Sequence, residues 1–187
     1  VDFALHTSVP VCWYTADEHD RDLGLFAEYL VGAIGERFPG FGELTRSTLV
    51  PLSGNISHSS IGAAESLANE ILDLDGSLVV VIDNYETVSG TSGIRAFLIR
   101  LLEILPANCH LMIGSRVLPD VPVTRLVAGR QLVGLVDRDL LFSPQEIQEL
   151  LRLSHFQISE AQAETIAASA EGWITGILLL IDLLRED

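Results

Sequence analysis

Apolar and polar positions along this chain follow two alternating periods. Leu78-Val79-Val80-Val81-Ile82-Asp83-Asn84-Tyr85 is an unbroken apolar, mostly β-branched run that ends on a carboxylate. Such a run predicts a buried parallel strand that delivers an acid to the carboxyl edge of a sheet, where open α/β folds bind ligands. Upstream, Val9-Pro10-Val11-Cys12-Trp13-Tyr14 predicts a short strand leading into the acidic loop Asp17-Glu18-His19-Asp20. Asp20 is placed to cap a helix whose apolar face is Phe26, Tyr29, Leu30, Ala33 and Ile34. Phe38-Pro39-Gly40-Phe41-Gly42 stops that helix, and a polar stretch through His58-Ser59-Ser60 follows. From about Ile61 to Leu74 a second helix shows Ile61, Ala64, Leu67, Ala68, Ile71 and Leu72 on one face, and Asp75-Gly76 turns into the Asp83 strand. A third helix carries Ile94, Phe97, Leu98, Leu101, Leu102 and Leu105 and closes at Pro106. Cys109 to Gly114 then predicts another buried strand, ending at Ser115-Arg116. A short helical or irregular piece follows Pro119 and Pro122, and a weak strand is expected around Gln131 to Leu135.

The texture then changes. Ser143-Pro144-Gln145-Glu146 is a capping box with Pro at the first helical position, and Ser159-Glu160-Ala161-Gln162 repeats the box. Gly172 breaks the second of these helices before a third begins at Trp173. Strand and helix alternating to residue 136, followed by helices alone, predict a parallel α/β core over 1–136 and a small helical subdomain over 137–187.

Composition narrows the function classes. A hydrophobic share of 48% against 20% charged residues describes a globular chain with a sizeable core. Its net charge of −15 opposes binding to nucleic acid or to an anionic membrane surface, both of which need clustered cations. No secretory leader is expected at the first residues, which include Asp2 and His6. The apolar stretch Trp173 to Leu184 contains Asp182 and is too short to span a bilayer, so it predicts a buried helix. Cys12 and Cys109 lie in apolar, strand-like contexts and are expected to be free buried thiols in a reducing cytosol. Trp13 and Trp173 are expected in the core or between domains.

Asp83 is the leading candidate for chemistry. A carboxylate at the end of a strand can hold the Mg²⁺ that accompanies nucleotide phosphates, or can merely cap the next turn. Asn84 can position water but accepts protons poorly. All eleven basic residues are Arg, so no G-x-x-x-x-G-K-[ST] phosphate loop is present in these residues. Arg116 offers a fork for phosphate, or else a surface ion pair with one of the many carboxylates. Ser115 can donate to phosphate or cap. Asp17-Glu18-His19-Asp20 has the residue types of a metal site, but four consecutive side chains cannot converge on one ion. The strained G-x-S-x-G elbow of a hydrolase is absent around Ser57-His58 and Gly90-Thr91-Ser92-Gly93.

The ordered set of segments resembles a known family. Val11-Cys12-Trp13-Tyr14 with Asp17 and Asp20-Arg21-Asp22 looks like the second strand and following loop of MalT-like, LuxR-type transcriptional regulators, members of the STAND class of P-loop ATPases. Val79 to Tyr85 is similar to their Walker B segment, and Leu111-Met112-Ile113-Gly114-Ser115-Arg116 to their sensor strand. Leu140-Leu141-Phe142-Ser143-Pro144-Gln145-Glu146 and Glu171-Gly172-Trp173 resemble the start and end of their helical part. Asn84 stands where many relatives carry a second acid, and Ile174 where many carry Pro.

The resemblance implies an incomplete P-loop NTPase sheet flanked by helices, cut before its Walker A loop, with Val1-Asp2-Phe3-Ala4 as the tail of the helix after that loop. The central strand would lie upstream, leaving an apolar gap between the Asp83 and Cys109 strands for the last strand or another molecule to fill. It further implies ATP or ADP with Mg²⁺ between sheet and helical part, Asp83 on the metal and, with Asn84, at the reacting end. Ser115 and Arg116 would face the γ-phosphate, and Gly172 and Trp173 the base. Hydrolysis would be slow and regulatory in the full protein, with neither tight binding nor turnover by this chain alone. Partners would be the nucleotide, further copies or other domains of the same cytoplasmic regulator, with DNA read by a separate helix-turn-helix domain. The alternatives are a non-enzymatic interaction module with a degenerate nucleotide site, or an AAA+ ATPase using Arg125 or Arg130 as an arginine finger.

Overall fold

The run from Leu78 to Asp83 forms β2, the middle strand of a three-stranded parallel sheet in a computed structural model that describes residues 6–49 and 56–186. β1 (Val11–Thr15) pairs with it from Val11↔Val79 to Thr15↔Asp83, and β3 (Cys109–Ile113) from Leu78↔Cys109 to Ile82↔Ile113. The expected apolar gap between the Asp83 and Cys109 strands does not exist. Two apolar strands held apart would leave a double row of buried, unbonded N–H and C=O groups, whereas direct pairing satisfies them. The helix tail expected at Val1–Ala4 lies outside the described residues.

Helices cover one face of the sheet. α1 (Leu23–Gly35), α3 (Ile56–Leu72) and α4 (Ser92–Ile104) bury Phe26, Leu30, Ile34, Leu67, Ile71, Phe97 and Leu101 against Cys12, Leu78, Val80 and Ile82. Each large side chain removed from water contributes roughly 1.5–3 kcal/mol. Phe26 meets Phe97 edge-on at 6.0 Å and Tyr14 at 5.5 Å, which fixes α1 over β1. The opposite face holds a smaller cluster of Val11, Val79 and Val81.

Several local expectations are corrected. Asp20 is not the cap of α1: Asp22 is, accepting from the Leu25 amide at 3.1 Å. Asp20 instead closes a capping box with Asp17 around the short 3-10 turn Glu18–Asp20. Tyr29, Ile61 and Leu72 face solvent, because the core stripes of their helices run through Ala27, Val31, Ala63 and Ala64. The stretch after Gly42 is not simply polar coil. It contains α2 (Glu43–Leu49), and α3 begins at Ile56, earlier than its apolar stripe suggests. The reason for α2 is non-local: the Glu70 carboxylate of α3 accepts from the amides of Gly42 (3.0 Å), Leu44 (3.1 Å) and Thr45 (2.9 Å) and from the Thr45 hydroxyl. One side chain thereby satisfies most of the orphan donors of a helix too short to stand alone.

β3 is not fully buried: His110 and Met112 are exposed, as expected for an edge strand covered on one face only. The weak strand around Gln131–Leu135 is absent. Those residues are irregular, with Val133 96% exposed, and find no strand to pair with among the described residues.

The chain divides into two compact units, Val1–Gly129 and Arg130–Asp187. The first also holds α5 (Val123–Ala128). The second has the one-turn α6 (Asp137–Leu140) followed by α7 (Pro144–Leu153), α8 (Glu160–Ser169) and α9 (Ile174–Glu186). Both capping boxes form, Ser143 with Glu146 and Ser159 with Gln162. The core of this unit is Ile147, Leu151 and Ile177. α9 is therefore not a buried helix: Ile177 is inside, while Leu178 and Leu179 are exposed, since a small helical unit has one core stripe to offer. Among the described residues no helix is long and apolar enough to cross a membrane.

Candidate functional site at the carboxyl edge of the sheet

Asp83 ends β2, and its half-buried carboxylate accepts from the next main-chain amide, Asn84, at 3.0 Å. Asn84 adopts a left-handed conformation, φ 55°, which an Asn tolerates better than most residues. The chain can thus leave the strand sharply while the carboxylate stays at its tip. Across from it Gly114 follows β3, its amide donating to the Ile82 carbonyl (2.8 Å) and its carbonyl accepting from Tyr85 (3.0 Å). A Cβ on Gly114 would lie 2.7 Å from the Asp83 Oδ1. Glycine is what lets the carboxylate lie over the end of the neighbouring strand.

Ser115 and Arg116 follow directly, so the fold brings Asp83, Asn84, Ser115 and Arg116 to one edge. A carboxylate that sequence reasoning missed organises two of them. Glu86 accepts from the Arg116 amide (3.2 Å), pairs with its guanidinium (3.5 Å) and bonds the Ser115 hydroxyl. Burial alone would raise the Glu86 carboxyl, but main-chain amides, the Arg116 charge and the Ser115 hydroxyl hold it below the usual range. Arg116 remains 88% exposed along its side chain. No local pattern points to Glu86, because its partners lie about thirty residues on. The loop beyond is anchored by the buried Tyr85, whose hydroxyl donates to Asp120, and by Arg95, whose Nε donates to the Asp120 carbonyl at 3.0 Å.

Gly172 and Trp173 belong to the second unit. Gly172 has φ +74°; its amide donates to the Ala167 carbonyl (2.9 Å), closing the end of α8, and its carbonyl accepts from Phe142 (2.8 Å). A Cβ there would lie 3.0 Å from that of Leu141, so the glycine is required by this unit's own packing. Trp173 is 45% exposed and Trp13 39%, and neither is a core residue.

The acidic loop Asp17–Asp20 is a folding device. Asp17 accepts from the His19 amide and ring, which lowers its own carboxyl and raises the imidazole. Asp20 is buried and accepts from the Tyr14 hydroxyl (2.7 Å) and the Asp17 amide (2.9 Å). Cys12 and Cys109 are free and buried, and burial pushes their thiols up to about 11 and about 12.

No protein-family model matches this chain. Over 171 residues, 90% of its length, it is 30% identical to the HTH-type transcriptional regulator MalT of Yersinia pestis. The same protein of Yersinia pseudotuberculosis and of Yersinia enterocolitica is equally similar, 30% over 171 residues. The chain is MalT-like. The matched region is 18% of each relative, so the MalT-like chain spans less than a fifth of their length.

Proposed function

We propose that this MalT-like chain is the nucleotide-responsive switch domain of a transcription regulator, which in the longer protein binds ATP or ADP with Mg²⁺ at the carboxyl edge of this sheet, with weak or no binding by this chain alone. The observation that carries the reading is Asp83, a carboxylate at the tip of a buried central parallel strand, kept open by Gly114 and adjoined by Ser115 and Arg116. One carboxylate suits Mg²⁺, which keeps several waters and takes phosphate oxygens in preference to an all-protein cage. Mg²⁺, when bound, would neutralise phosphate charge. The chain's own part is to orient that ion through Asp83 and to offer the Ser115 hydroxyl and the Arg116 guanidinium in exchange for their present partner, Glu86. Asn84 takes up no proton, so any hydrolysis would be slow.

A switch of this kind works only through different affinities of ATP and ADP for a resting and an assembling state. The −15 charge argues against DNA contact by these residues; on this reading DNA contact would belong to other parts of a cytoplasmic regulator that associates with its own copies or domains.

The test is calorimetric titration of Mg-ATP and Mg-ADP into this chain and into a longer form that carries a G-x-x-x-x-G-K-[ST] loop ahead of it, each beside Asp83→Ala. Micromolar binding by the longer form, weakened about tenfold or more in the variant, supports the switch. No binding by the longer form refutes it and leaves an interaction module, the reading that the Glu86–Arg116 pair favours.

A further inference from the structure

Among the described residues β1 is an edge strand, and an open groove lies beside it. The Val79 amide donates to the Pro10 carbonyl and the Ala16 amide to the Asp83 carbonyl, each at 2.9 Å. The even-numbered residues of β1 therefore turn their main-chain groups toward β2, and Val11, Trp13 and Thr15 turn theirs outward, where no strand pairs with them among the described residues. Two of the usual protections of a free edge are missing from Val11–Thr15, which contains no charge and no proline.

Along this edge runs an open groove of about 660 Å³ between β1 and α1. Its α1 wall includes Tyr29, which is 51% exposed, and Gly32 and Ala33, which leave the groove wide. Gly32 is informative because nothing in the packing demands it. A Cβ there would meet no atom within 4 Å, and its place inside a helix costs about 0.5–1 kcal/mol relative to alanine. Charge selects the occupant. Asp17, Asp20 and Glu36 line the groove: Asp17 pairs with His19, the one base among the lining residues, Asp20 is buried against Tyr14, and Glu36 is exposed, so the wall carries a net negative charge with Glu36 as its open acid.

We propose that the free edge of β1 is a strand-addition site for an extended, basic segment of a partner protein. Main-chain groups of the segment would pair with Trp13 and Thr15. Its alternate side chains would face the acidic groove with cations and the Trp13 side of the sheet with apolar groups. A second copy of this chain is a poor occupant of this edge, because its β1 carries no cation to meet the acidic groove.

The probe is a short synthetic peptide, blocked at both ends, that alternates arginine with valine or threonine, titrated into the 187-residue chain by calorimetry. Amide hydrogen exchange is read in parallel. Binding is expected to slow exchange at Trp13 and Thr15 about tenfold or more. N-methylation of alternate peptide amides should weaken binding about tenfold, the loss of ladder bonds. Glu36→Gln should weaken it roughly two- to fivefold. Gly32→Gln should abolish it by filling the groove, while Gly32→Ala keeps it. Both Gly32 variants are expected to fold, since each improves helix propensity. The proposal is overturned by any one of four results: no binding, equal binding of the N-methylated or of an acidic analogue, binding indifferent to Gly32→Gln, or self-association of the chain through this edge.

Discussion

Replacing Glu70 with Gln tests the claim that one carboxylate holds α2 in place. In the native chain one Glu70 oxygen accepts from Gly42 and Leu44, and the other from the amide and hydroxyl of Thr45. Gln keeps one accepting oxygen and puts an NH₂ donor where the other was. The Thr45 hydroxyl can rotate to accept from that group, but the Thr45 amide cannot. Thr45 is fully buried, so its N–H is left without a partner, at a cost of about 1–3 kcal/mol. With about 2 kcal/mol as the central value, the melting point should fall by roughly 4–8 °C. Urea denaturation followed by Trp13 fluorescence, in a Trp173→Phe background, isolates the first unit. The acid dependence is a second check. Burial alone would raise the Glu70 carboxyl, but the Thr45 hydroxyl and the amides of Thr45, Leu44 and Gly42 outweigh it and hold it below its ordinary value. A group depressed in the fold contributes stability that is full above its unfolded pKa and lost as pH falls through the folded one. The gap between wild type and Glu70→Gln should therefore be widest near neutrality and close in acid below the usual carboxylate range, because a protonated Glu resembles Gln. A gap under about 0.5 kcal/mol at pH 7, or one that persists in acid, would refute the reasoning.

Other expectations follow from the same geometry. Gly114→Ala drives a methyl group against the Asp83 carboxylate and should cost about 1–3 kcal/mol in urea unfolding; a neutral result would mean that the carboxylate is free to move aside. Gly172→Ala meets both a left-handed backbone and the Leu141 side chain, and should destabilise the helical unit by about 1–3 kcal/mol, read from circular dichroism of the melt. At pH 8 Cys12 and Cys109 should be unreactive toward a thiol-specific disulfide reagent in the native chain and both react once urea unfolds it, since burial holds their thiols at about 11 and about 12. Rapid native labelling would show that the sheet face over them opens.

What could be read from the chain was what is written locally. The buried run of β2 and its terminal Asp83 were legible because a strand covered on both faces has no polar alternate. The capping boxes at Ser143 and Ser159 were legible because their partners lie three residues away. What escaped depends on distant partners. α2 is invisible without Glu70, and the surface ion pair weighed for Arg116 has no identifiable partner until Glu86 is brought beside it. Asp20 stands before an apolar stripe as a cap would, but Asp22 lies nearer the first turn and Asp20 is claimed by Tyr14. Trp13, Trp173 and α9 were expected inside from hydrophobicity alone, which cannot say how many sides of a small unit are covered. At the candidate site the sequence located Asp83, Ser115 and Arg116, while Gly114 becomes significant only when its distance to Asp83 is seen.

The anchoring of the loop after β3 sets how far Arg116 can travel. Gly114 is bonded to Ile82 of β2 and to Tyr85 just beyond it, and Asp120 is gripped by Tyr85 and Arg95. Only residues 115–119 hang between these two posts, and Arg116 stands two residues from the first. Even a fully extended chain would carry its Cα no more than roughly 7 Å from that of Gly114. Releasing the guanidinium from Glu86 would therefore free little chain entropy and sweep a small volume. Any anion that Arg116 meets has to be delivered to the sheet edge rather than fetched from solvent, which makes the loop a fixed receiver and leaves the larger motions to other parts of the protein.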